Sequence, residues 1–208
     1  MAIMRENSAA AFLCLFFMLP ASGFCAGGPL GIDHRLTEDN RGIWKRQNQN
    51  LLQYGGVAVN VGIALWEGGE SRLGRTAWQS IDSMTLSAVA ANAAKPVFGR
   101  LRPTQTEDPN KWGKGGKSFP SGEVATISGI VTPYVLEYGP DYPAAYGLEV
   151  LPAYDAIARM KVRGHWQTDV LAGFAIGTAS GYYARSRENP FILGLLPHGF
   201  SIGVKQRF

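Results

Sequence analysis

Five stretches of apolar residues at helical spacing, broken by glycine- and proline-rich joints, dominate the chain beyond residue 43. From Trp44, the residues Leu51, Leu52, Val57, Val59, Val61 and Leu65 lead to a break at Glu67-Gly68-Gly69. A second stretch, about 72–94, carries Ala77, Ile81, Met84, Leu86 and Val89, until Pro96 and Gly99 disturb it. After a loop at 103–119 rich in Pro, Gly and Lys, helices are predicted for 121–138, 144–162 and 168–186, with a turn at Gly139-Pro140-Asp141. Apolar side chains returning every three to four residues line one face of a helix, so these segments must bury that face against one another. Phe200, Ile202 and Val204 alternate with Ser201, Gly203 and Lys205, the pattern of a short terminal strand. The predicted fold is an all-α helical bundle with a short C-terminal β-strand.

Apolar residues make up 46% of the chain and charged residues 17%, which excludes a disordered polymer. Asn60, Asp82, Asn92, Glu137 and Asp155 interrupt the apolar runs. A bundle in water with unusually apolar helices is therefore the reading, and embedding in a membrane is the competing one. A length of 208 residues suits one domain with a real core. The net charge of +4 is too weak and too dispersed for a nucleic-acid partner, yet it is compatible with anionic substrates.

Residues 1–26 read as an export signal. Arg5 supplies the positive start, Ala9 to Leu19 a short apolar run, and Pro20-Ala21-Ser22-Gly23 the small residues for cleavage near 23–26. The run is short for a transmembrane helix, which needs about 20 apolar residues, and a retained anchor is the alternative. A single domain then covers 27–208, in the periplasm or secreted. Cys14 and Cys25 are the two cysteines, so the mature domain relies on no internal disulfide. Ser22-Gly23-Phe24-Cys25 departs from a lipidation box at Phe24, where a small residue is needed.

Three polar blocks carry chemistry. Lys95 and Arg102 lie seven apart and would share one face if the segment stayed helical, although Pro96 and Pro103 oppose that. Pro120-Ser121-Gly122-Glu123 stands at a helix start, where unpaired backbone N–H groups and the dipole favour an anion. The plainer reading is a Ser121 cap with Glu123 in a first turn that prefers negative charge. His165 and Asp169, four apart, would meet on one helical face. An Asp that accepts one ring N–H leaves the other nitrogen with a lone pair fit for attack, and a purely structural His–Asp pair is the alternative. Arg159 and Arg163 precede them.

Together, Lys95 with Arg102-Pro103, then Pro120-Ser121-Gly122, then Arg159, His165 and Asp169 resemble the phosphatidic acid phosphatase type 2 and vanadium haloperoxidase superfamily, over roughly residues 80–185. The resemblance implies a helical bundle of the PAP2/chloroperoxidase type and a phosphatase domain at 27–208. It implies that Lys95, Arg102 and Arg159 bind phosphate oxygens with help from the Ser121 hydroxyl and the Gly122 N–H. His165 would attack phosphorus to form a phosphohistidine, oriented by Asp169. No cofactor or metal is implied. The partner would be a phosphate-ester substrate, soluble or carried by a membrane lipid, with peripheral contact to the membrane; the oligomeric state is not read.

The chain departs from that pattern at Glu123, where the family usually has a histidine that protonates the leaving alkoxide, and at Ala158, where Ser is common. Two readings of Glu123 oppose each other. Among cations it should ionise and repel a phosphate; beside a bound phosphate it could keep its proton and serve as a catalytic general acid. The first expectation is an active phosphatase with an acidic optimum or a narrow substrate range. The alternatives are a phosphate- or headgroup-binding protein without turnover, and a vanadate-dependent haloperoxidase. Lys111, Lys114 and Lys117 could draw anions to the pocket or form a solvated loop, and Trp112 and Trp166 could line a leaving-group pocket or simply pack.

Overall fold

The computed structural model describes residues 27–187; the export segment and the terminal strand lie outside them. Five helices follow in order: α1 Arg46–Glu67, α2 Arg72–Phe98, α3 Gly122–Tyr138, α4 Val150–Lys161 and α5 Gln167–Ser186. A 3-10 turn, Gly42–Trp44, leads into α1, and a second, Pro143–Glu149, leads into α4. The helix expected at 144–162 is thus split. Gly147 and the proline at the start of the segment favour the tighter turn over a continued α-helix. Among the described residues no helix is long and apolar enough to cross a membrane.

Local signals set the ends of α2. Ser71 Oγ accepts the Gly74 N–H at 2.9 Å, closing the first turn. At the far end Gly99 adopts the left-handed conformation (φ 54°) and its N–H bonds Lys95 O. The helix runs past Pro96 because a proline so near the end removes only one bond of the ladder. Arg102 consequently lies in the following loop, not on the face of Lys95 as a continued helix would have placed it.

The core sits where α3 is wrapped by its neighbours. Ile127, Ile130, Val131 and Val135 of α3 pack with Leu52, Val57 and Met84. Ala64, Ala77 and Ile81 form a second layer between α1 and α2. Asn60, which interrupts the apolar run of α1, is buried, accepts from Tyr134 Oη at 2.6 Å and donates to Ala77 O. A buried amide bonded on both sides avoids the cost of lost hydration.

One contact positions the site directly. Gly173, Gly177 and Gly181 present a flat stripe of α5 to α3. A Cβ on Gly173 would come within 2.4 Å of Ser121 O, and one on Gly177 within 2.4 Å of Ala125 O. The two helices therefore approach backbone to backbone, and the Ser121 N–H reaches Asp169 O at 2.9 Å. That bond brings the Ser-Gly turn to the start of α5.

Candidate active site

The pocket draws on four places in the chain. Lys95 comes from the last turn of α2 and Arg102 from the loop behind it. Ser121 and Gly122 come from the start of α3, and Arg159 from the end of α4. His165 follows in the turn before α5. A Cβ on Gly122 would lie 3.1 Å from Lys95 Nζ, so glycine there leaves room for the ammonium at the helix start. Gly164 does the same for Arg159, whose Nη2 would be 2.6 Å from an added Cβ. Burial, and then the charge of Arg102, lower the Lys95 pKa from its ordinary value, with Arg159 and Lys117 acting in the same sense. The cations predicted from separate blocks are thus close enough to repel one another, a state that an anion relieves.

One buried donor points to the same need. Ser121 Oγ has no hydrogen-bond partner among the described residues although it is shielded from solvent, whereas Arg159 Nε faces Glu123 Oε2 at 3.6 Å. Buried polar atoms are nearly always paired, so an unpaired hydroxyl beside Lys95 at a helix N-terminus suits an anion.

His165 is almost wholly buried and stands outside the helix, one residue before the N-cap of α5. Its Nδ1 lies 2.6 Å from the Ser118 carbonyl, which can only accept, so Nδ1 carries the proton and Nε2 the lone pair. Asp169 Oδ2 is 3.7 Å from Nδ1, near enough to attract an imidazolium but too far to be its hydrogen-bond acceptor. The Ser118 carbonyl is thus the nearer acceptor for the Nδ1–H and Asp169 stands behind it, because His165 and Asp169 do not share a helical face. Burial lowers the His165 pKa from its ordinary value; Asp169 opposes this, while Arg159 and Arg102 add to it. The ring is therefore neutral at neutral pH.

Asp169 instead anchors the surrounding framework. Its Oδ2 accepts from Ser118 Oγ at 2.5 Å and from the Trp166 N–H at 2.8 Å, capping α5, while Oδ1 accepts from Arg100 Nη1 at 2.6 Å. Burial alone would raise its carboxyl pKa, but the neighbouring His165, Arg100 and Ser118 hold it below the ordinary value.

Arg100 and Asp33 escaped the sequence reading. Arg100 is fully buried and joins Asp169 to Asp33, which its Nη2 meets at 2.5 Å. Thr168 donates its N–H to Asp33 Oδ1 and its hydroxyl to Oδ2. The guanidinium lies between Trp112, 4.4 Å from the ring centre, and Trp166, at 5.6 Å. These two tryptophans therefore clamp Arg100, and Trp166 also donates to Leu101 O. Lys111 is tied to Asp108 at 3.3 Å on the exposed loop. Arg163 turns away to the carbonyl of Leu36, fixing the lead-in segment.

Glu123 is paired with Arg46, another residue the sequence did not single out. Oε2 accepts from Nη1 at 2.5 Å and Oε1 from Nη2 at 2.6 Å, and Arg159 Nε stands 3.6 Å from Oε2. Burial raises the Glu123 pKa, but Arg46, Arg159 and His165 outweigh it and leave the carboxyl below its ordinary value. Of the two readings, the ionised carboxylate is the one this geometry favours.

A constellation of this composition, on a helical bundle of this order, defines a class of phosphate-handling proteins. The chain belongs to the PAP2 superfamily, whose family model matches residues 76–190, more than half of its length. It is 36% identical over 102 residues to a lipid A 1-phosphatase of Porphyromonas gingivalis, a match covering 47% of this chain and 20% of that protein. The chain thus spans about a fifth of the length of that curated relative. The crystal structure of Aquifex aeolicus LpxE superposes with a TM-score of 0.52 at 21% identity, covering 69% of this chain and 87% of the other, a likeness of fold.

Proposed function

We propose that the chain is a phosphatase acting on a lipid-linked phosphate through a phosphohistidine on His165. The observation that carries this reading is the buried Ser121 hydroxyl, without a hydrogen-bond partner among the described residues, at a helix start that also holds the Lys95 ammonium, together with an imidazole whose Nδ1 is already committed. Donors placed in advance where charge accumulates stabilise a phosphoryl transition state without reorganising. Lys95, Arg102 and Arg159 would hold the equatorial oxygens, and Nε2 would attack in line. Water would then release inorganic phosphate.

Lipid linkage is supported by the surface as well as by the lipid A 1-phosphatase relative. Along α1, Leu51, Tyr54, Val59, Leu65 and Trp66 are exposed, and no charged residue lies between Arg46 and Glu67. Val89, Val97 and Phe98 are exposed on α2, on the segment that carries Lys95. Exposed apolar side chains on two helices, one of which also carries Lys95, suit a phosphate held at a membrane surface. The export signal read in residues 1–26 would put the reaction outside the cytoplasm.

Phosphate release from phosphatidate, undecaprenyl pyrophosphate, lipid A and soluble esters, at several pH values, tests the reading. Turnover of a lipid-linked ester that vanishes in His165→Ala is expected. Activity retained in that variant would overturn the histidine mechanism. A second reading, phosphate binding without turnover, is motivated by the ionised Glu123. Calorimetric binding of inorganic phosphate by a protein that turns over none of these esters would establish it.

A further inference from the structure

Glu123 stands in the first turn of α3, in the place where the resemblance implies a proton donor to the leaving group. Both of its oxygens are engaged by Arg46. Arg46 and Arg159 also share Gln49 Oε1, at 3.0 Å and 3.2 Å. Gln49 is wholly buried, and its amide nitrogen is held by the carbonyls of Trp44 and Ala158. Two guanidinium groups on one oxygen repel each other unless an anion sits between them, and Glu123 is that anion. The ladder from Arg46 through Gln49 to Arg159 is therefore closed by Glu123, and both of its oxygens already accept from a guanidinium, which favours the ionised form.

The charged and titratable groups facing Glu123 are Arg46 from α1, Lys95 from α2, Asp155 and Arg159 from α4, and His165 from the turn before α5. A phosphate dianion bound by Lys95, Arg102 and Arg159 brings two negative charges against three positive ones. Arg46 remains in place as well, so substrate binding does not reverse the field that keeps Glu123 ionised.

Resting on the phosphatase reading above, we propose that Glu123 is a positioning residue for Arg46 and Arg159, and that the site takes phosphates whose leaving oxygen departs without a proton. Phosphoanhydrides, acyl phosphates and aryl phosphates are then preferred over simple alkyl phosphates. In the first step the Nε2 lone pair forms the N–P bond while the P–O bond breaks, and its electron pair stays on the leaving oxygen. That oxygen departs as an anion and takes its proton from solvent after release. Water then attacks phosphorus, the N–P bond returns its pair to Nε2, and both protons of that water leave with the inorganic phosphate.

The test is a leaving-group series on the full protein: acetyl phosphate, aryl phosphates from p-nitrophenyl to phenyl, and an alkyl phosphate, each read as kcat/KM. An oxygen that receives no proton feels its own basicity in full, so rates fall about tenfold per unit of leaving-group pKa. Glu123→Gln lowers kcat/KM for every ester by a similar factor, about tenfold to a hundredfold, without changing that slope. Arg46→Lys keeps more activity than Arg46→Ala, with the loss for both in kcat as well as KM. A shallow slope in the wild type, or a Glu123→Gln defect confined to poor leaving groups, overturns the proposal. Helical circular dichroism checks that the variants fold; if Glu123→Gln does not, the wild-type slope decides alone. Turnover of none of these or the lipid esters overturns the phosphatase reading, and this inference with it, whereas turnover with a shallow slope overturns this inference only.

Discussion

Arg100→Met is the substitution with the largest expected structural consequence. It removes a fully buried cation and leaves Asp33 and Asp169, both also fully buried, without their shared counter-charge. Breaking one side of a buried ion pair costs about 3–5 kcal/mol. Two features place the expectation within that range. Asp169 keeps Ser118 Oγ and the Trp166 N–H, and Asp33 keeps both donors of Thr168, so neither carboxylate is fully orphaned. Against this, the cation–π contacts with Trp112 and Trp166 are lost, worth about 2 kcal/mol at a desolvated site. A net loss in the upper part of the range, about 4–5 kcal/mol, follows, or a melting temperature lower by roughly 8–20 °C. The sign with pH is also determined. The native Asp169 pKa is depressed, so its contribution is present above the unfolded carboxylate value of about 3.9 and fades as pH falls below it. In the variant the carboxyl gains by protonation, so the difference between the proteins shrinks toward pH 4. Urea unfolding followed by far-UV circular dichroism at pH 7 and pH 4 measures both quantities. A loss below about 1 kcal/mol at pH 7, or one that grows in acid, would refute the reasoning.

Further outcomes follow from other parts of the structure. On the proposed mechanism His165 attacks as a neutral ring, and its pKa is lowered, so the acid limb of kcat/KM should fall below pH ~6.5, the ordinary histidine value; a limb above that value contradicts the burial argument. Gly177→Leu should destabilise by at least about 1–3 kcal/mol, because a side chain there must displace the backbone of α3, and thermal unfolding would show it. Asp155 is buried with no hydrogen-bond partner for either oxygen among the described residues, and its pKa is pushed up to about 7 by burial and then by Glu123. Its protonated form therefore supports the fold below pH ~3.9, and that support is lost as pH rises toward 7. Asp155→Asn should flatten the stability profile between pH 4 and 8, by on the order of 4 kcal/mol, and an unchanged profile would count against it.

Much of this molecule could be read from local pattern. Apolar spacing and Gly-Pro punctuation located all five helices, because both act within a few residues of the chain. The blocks around Lys95, Ser121 and His165 identified the family, since their residue types are demanded by phosphate and by in-line attack. The second helix nevertheless runs to Phe98, past the end near 94 that Pro96 suggested, because Gly99 supplies the left-handed cap. The partners of those residues were not legible. Glu123 meets Arg46 across 77 positions, Arg100 meets Asp33 across 67, and His165 takes its acceptor from the backbone of Ser118, 47 positions away. No periodicity links such residues; only the close approach of α3 and α5 along Gly173, Gly177 and Gly181 brings Ser118, Asp169 and His165 together. The chain alone therefore specifies which chemical groups are available, while packing specifies their charge states. A carboxylate at position 123 is a candidate acid in the sequence and an ionised anchor in the fold, because two guanidinium groups from distant helices converge on it.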